Sequence, residues 1–116
     1  MRYTLNMKKI EKNTPKAGAV RVILYKDTKE NQWYGVALEF NLVVSGDTFE
    51  ETQYELSEAI LGYVDTLRAI KGLREYSSLN QKADSQYEKL WQALEANTKI
   101  PSPYHVTHYG IQKIHA

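Results

Sequence analysis

The apolar pattern of this 116-residue chain changes its period at one place, Ser45-Gly46-Asp47-Thr48, and that switch constrains the fold more than any other feature. Upstream of it the apolar residues come in short runs of β character. Residues 19–26 contain Val20, Val22, Ile23, Leu24 and Tyr25, which suit a pleated, half-buried surface. Residues 27–31 are a polar connection of hairpin length. A second strand is expected over residues 32–40. Trp33, Gly35, Ala37 and Glu39 fall on one side of it; Tyr34, Val36, Leu38 and Phe40 fall on the other and make the better core face. Asn41 marks a bend before a short third strand at Leu42, Val43 and Val44. Connections this short imply antiparallel pairing.

Downstream the period is helical. Gly46 gives the turn its backbone freedom. Thr48 is a good N-cap, and Glu51 follows at capping-box spacing. Glu50 and Glu51 also suit the positive end of the helix dipole. Thr52, Leu56, Ala59, Ile60, Tyr63, Val64, Leu67 and Ile70 then recur at three- and four-residue steps, an amphipathic stripe for one face of the meander. Gly72 is placed to stop this helix. Residues 73–83 are polar and turn-rich. A second helix is expected over residues 84–96, with Tyr87, Leu90, Trp91 and Leu94 as its buried stripe. Pro101 and Pro103 prevent its continuation. Residues 104–114 read as a final strand added to the sheet edge, with Gly110 as a bulge or close approach. At the other end, Tyr3, Leu5 and Met7 alternate as an edge strand or a frayed arm would.

The fold class is therefore α+β. A three- to four-stranded, mostly antiparallel sheet packs on one long helix, and a second C-terminal helix and a final strand complete it. One domain covers residues 1–116, with a β-β-β-α core at 19–72 and an extension at 73–116. An apolar fraction of 42% suffices for a real core at this length. A net charge of +1, with both signs spread along the chain, gives no electrostatic case for nucleic acid or a membrane surface. The absence of cysteine excludes disulfides, thiolate zinc sites and thiol catalysis, and suits a reducing compartment. Residues 1–10 contain no apolar run of signal-peptide length, so a cytoplasmic protein is expected.

No catalytic constellation emerges. His105 and His108 stand three apart, which in a regular strand sends them to opposite faces and away from a shared metal ion; His115 follows them as a polar surface residue. Glu50, Glu51, Glu55 and Glu58 read as a solvated helix face. Ser45, Ser57, Ser77 and Ser78 lack a nucleophile-elbow setting. Gly46 is isolated, and no glycine-rich phosphate loop is present. No catalytic, cofactor-binding or metal-binding residue is assigned, and the chain does not read as an enzyme. Trp33 and Tyr34, beside the hairpin tip, are candidate anchors for a partner, because aromatics of this kind dominate binding hot spots.

Residues 20–69 resemble the HicB-like antitoxin family. The resemblance is carried by Arg21-Val22-Ile23-Leu24-Tyr25-Lys26, by Gln32-Trp33-Tyr34-Gly35-Val36-Ala37, by Leu38-Glu39-Phe40-Asn41-Leu42, and above all by Gly46-Asp47-Thr48-Phe49-Glu50-Glu51. Leu38–Leu42 stands where many members carry a Pro-Asp-Leu-Pro-Gly run, so the chain looks like a proline-free branch. From Leu73 onward it matches neither the ribbon-helix-helix nor the helix-turn-helix tail of full antitoxins. The resemblance implies a partial RNase H-like fold without nuclease activity. It also implies a module that covers a small mRNA-cleaving toxin of HicA type, with Trp33, Tyr34, Glu39 and Asn41 as partner-binding candidates. The alternative is a homo-oligomeric structural or small-ligand-binding domain, supported by the surplus of tyrosines and the C-terminal extension.

Overall fold

The structure, a computed structural model, describes residues 13, 14, 17–70 and 77–115. Three strands come first: β1 (Ala17–Asp27), β2 (Gln32–Ala37) and β3 (Leu42–Gly46). Helix α1 (Phe49–Arg68) follows, then α2 (Ser85–Glu95) and strand β4 (Tyr104–His115). Short 3-10 turns occupy Leu38–Phe40 and Ser77–Leu79. The described strands form one antiparallel sheet in the order β3-β2-β1-β4. The α+β class expected from the pattern is the class observed.

Both faces of the sheet are covered, and here the structure corrects the expectation of a single core face. Val20, Val22, Leu24, Ala37, Phe40 and Ile114 pack with Leu56, Ile60 and Val64 of α1. Ile23, Tyr25, Val36 and Leu38 pack with Tyr87, Leu90 and Trp91 of α2 on the other side. The near-continuous apolar run of β1 is the signature of a strand buried on both faces. Phe40, Ile23, Leu24, Leu38 and Ile60 lose essentially all contact with solvent. Each contributes about 1.5–3 kcal/mol of transfer free energy.

The second strand ends at Ala37, three residues before the expected Phe40. In a continued strand Leu38 and Phe40 would point the same way. The 3-10 turn instead delivers Leu38 to the α2 core and Phe40 to the α1 core. Asn41 closes the turn in the left-handed region at φ 53°, its N–H donating to the Leu38 carbonyl. Asparagine tolerates that region better than most residues.

The period switch works as its residues require. The Glu51 N–H donates to Thr48 Oγ1 at 3.1 Å. The Glu51 carboxylate accepts from the Asp47 N–H at 2.9 Å, one residue further back than the usual reciprocal bond. At Gly46 an added Cβ would stand 2.5 Å from Thr52 Oγ1, so this glycine serves close packing of the junction on α1. The helix itself ends at Arg68, and Ile70, half exposed beyond it, drops out of the buried stripe. Gly72 and residues 1–12 lie outside the described residues.

Helix α2 is stopped before either proline. Asn97 adopts φ 56°, and the Thr98 N–H donates to the Ala93 carbonyl at 3.0 Å, a left-handed C-terminal cap. In β4 the register against β1 shifts once. Leu24 faces His108 and Tyr25 faces Val106, which leaves Thr107 as the bulged residue. Gly110, expected as a bulge or a close approach, pairs regularly with Val22, and an added Cβ there would meet nothing nearer than 3.7 Å.

Candidate interaction surface

Arg21 is the one charged residue set inside the apolar run of β1, and it organises the α2 side of the sheet. Its Nε donates to Glu39 Oε2 at 2.6 Å, and its two terminal nitrogens donate to the Glu88 carboxylate at 2.6 and 2.9 Å. Glu39 Oε1 also accepts from the Arg21 backbone N–H at 2.8 Å. The guanidinium stands 5.5 Å from the centre of the Trp91 ring, within cation–π range. Burial disfavours the cation. The hydrogen bonds to Glu88 and Glu39 outweigh that cost and raise Arg21 above its ordinary value. The Arg21 hydrogen bond holds Glu88 below the usual carboxylate range, against the opposing effect of burial. The cluster clamps β1, the 3-10 turn and α2 together.

A second cluster lies further along the same face. The Tyr25 and Tyr87 hydroxyls share a hydrogen bond of 3.1 Å, and Tyr34 and Tyr104 pack on the Tyr25 ring at 5.4 and 4.9 Å between centres. Burial, reinforced by the Tyr87 bond, pushes the Tyr25 phenol well above its ordinary value. The Tyr34 hydroxyl donates to Glu30 at 2.5 Å. These rings close one end of the α2 core.

The four residues expected to meet a partner stand in separate settings. Trp33 is half-buried on the α1 side, edge-on to Phe49 and beneath the Lys26 ammonium. Tyr34 lies on the opposite side in the tyrosine cluster. Glu39 is engaged by Arg21. Asn41 is exposed, its amide donating to Gln81 Oε1 and to the Lys82 carbonyl.

The bulge also revises the reading of the histidines. His105 pairs with Lys26 and His108 with Leu24, and these two β1 residues share a face. Both histidines therefore face the α1 side and are exposed. Among the described residues no three histidine, aspartate or glutamate side chains converge on a point that suits a metal ion.

What sequence reasoning missed is the border of β4. Among the described residues this strand has one neighbour, β1, and its other edge is unpaired. Apolar side chains flank that edge on both faces. Tyr109, 39% exposed, leans on Trp91, and Ile111, 63% exposed, borders a concavity of about 160 Å³ with Arg21, Glu39 and Trp91. On the α1 side Leu61, 56% exposed, lines a smaller groove against Gln112 and Ile114. The signal in the sequence was the stretch Tyr109-Gly110-Ile111, which places two large apolar residues on one side of an edge strand.

No family model, no curated protein and no solved structure matches the chain. No helix of the described residues is long and apolar enough to cross a membrane.

Proposed function

We propose that the chain is a protein-binding module of the HicB-like antitoxin type, which silences a small mRNA-cleaving toxin of HicA type by covering its active or RNA-binding surface. One observation carries the reading. The residues that bear the family resemblance, Gly46, Asp47, Thr48 and Glu51, build a capped junction between an antiparallel β-β-β meander and a twenty-residue helix. Inhibition of this kind is steric and asks no catalytic group of the module. Of the partner-binding candidates Asn41 is exposed, and Trp33, Tyr34 and Glu39 are half-buried. Such a partnership belongs in the cytoplasm. Operator binding is not part of the proposal, because α2 lays its apolar stripe on the sheet and β4 joins the sheet.

The test is co-expression with the product of the neighbouring reading frame, which the proposal expects to be a small basic protein. Rescue of growth and a joint elution on size exclusion are expected; continued toxicity with separate elution would remove the reading. We extend the proposal to self-association of the chain, favoured by the exposed Leu61, Tyr109 and Ile111 around a strand edge that has no partner among the described residues.

A further inference from the structure

We infer that two copies of the chain join through β4, edge to edge, about a two-fold axis that passes near Gly110 and is normal to the sheet. The inference rests on the self-association just proposed and names its surface; it is independent of the toxin.

An unpaired edge strand is a template for another strand, and proteins that stay monomeric usually guard it. Guards include prolines, clustered lysines and bulges. From His108 to His115 the strand has no proline, no carboxylate and a single lysine, Lys113. The one bulge, at Thr107, lies outside this stretch and leaves it regular.

The occupant follows from the chemistry of the edge against itself. A two-fold axis normal to the sheet makes the strands antiparallel and keeps like faces together. Centred at Gly110, it sets Tyr109 opposite the second copy's Ile111, so the two exposed apolar side chains cover each other on the α2 side. On the α1 side it sets His108 opposite Gln112. Lys113 falls opposite Thr107, so no like charges face each other. A centre shifted by one residue either way sets Tyr109 against itself and Ile111 against Thr107, or sets Tyr109 against Lys113; both waste an apolar pair. Leu61 and the grooves on both faces add a second layer of contact. A strand edge needs that layer to reach the roughly 1,000 Å² of a stable interface. The described strands of the two copies then form one continuous eight-stranded sheet.

The absence of cysteine makes the test clean. An added Cβ at Gly110 meets nothing closer than 3.7 Å, so Gly110→Cys is sterically free. Facing residues of an antiparallel pair bring their Cα atoms to about 4.5–5.5 Å, within disulfide range. Sedimentation of the full chain should show a dimer. Oxidised Gly110→Cys should become a covalent dimer, and Val43→Cys, half exposed on the β3 border, should not. Ile111→Lys should raise the dimer dissociation constant at least about tenfold, with a thermal midpoint that matches the parent chain when both are measured as dilute monomers.

A monomer at all concentrations would overturn both this inference and the self-association on which it rests. A dimer that ignores Ile111→Lys, or that crosslinks through Val43→Cys in place of Gly110→Cys, would overturn the β4 interface alone. A monomer that dimerises only after residues 1–12 are removed would also overturn it, with the chain's own N-terminus then holding the edge.

Discussion

Replacing Arg21 by methionine keeps an apolar stem against Trp91 and removes the charge that joins Glu39 to Glu88. Three charge-assisted hydrogen bonds disappear. In a fully buried pair the loss of one partner costs about 3–5 kcal/mol; at the surface it costs less than about 1. The Arg21 and Glu39 side chains are 17% and 16% exposed and Glu88 is 35% exposed, so the cluster stands between these limits. A loss of about 2–3 kcal/mol at pH 7 is expected, most of it from the Glu39 arm. That loss lowers the urea midpoint by about 1–2 M, read from tryptophan fluorescence. The pH dependence gives the argument its sign. In the native chain Glu88 is held below its ordinary value. Its contribution is full above the unfolded-state value of about 4.3 and is lost as pH falls through the lower folded-state value. In Arg21→Met the hydrogen bonds that hold Glu88 there are gone. The stability gap between the two proteins therefore narrows between about pH 5 and pH 3. A gap below about 0.5 kcal/mol at pH 7, or one that stays constant down to pH 3, would refute the clamp.

Three further outcomes follow from the same packing. Thr48→Ala removes the acceptor of the Glu51 N–H and should cost about 1 kcal/mol, a drop in thermal midpoint of about 4 °C by calorimetry. Gly35→Val inserts side-chain atoms where a Cβ alone already meets Leu24, Leu56 and Val44 at 3.1–3.2 Å, and should cost about 1–3 kcal/mol in a denaturant titration. Tyr25 has a raised phenol, so its neutral form stabilises the fold fully below the ordinary tyrosine value of 10.0. That stability is lost as pH rises above it, and ultraviolet titration should show Tyr25 ionising only as the protein unfolds, whereas Tyr25→Phe should unfold at higher pH.

The local structure was legible because its causes are local. The hairpin at Asp27–Asn31, the cap at Thr48 and the stripe Tyr87-Leu90-Trp91 are each set by residues within a few positions of one another. What escaped depends on chain segments far apart. Glu39 entered as a partner-binding candidate on the family resemblance alone; its ion pair with Arg21, which also holds Glu88, 67 residues away, joins segments that no local pattern connects. Arginine within an apolar strand was the available clue. Two-sided burial was visible in the unbroken run Val22-Ile23-Leu24-Tyr25, but strict alternation in the second strand drew attention to a single face. The bulge at Thr107 left no mark, since threonine is an ordinary strand residue. Gly110 attracted that assignment only by its lack of a side chain.

The pairing of Ala17 with His115 has a consequence for how the protein comes to exist in a cell. Strand β1 leaves the ribosome well before its neighbour β4, which starts only at Tyr104. Until then one flank of the strand lies open to chaperones and to other nascent chains. Loop closure over such a span is slow relative to local helix formation. The meander and α1 can form from local contacts before the segment that seals them is made, and a product that ends before residue 104 lacks that seal.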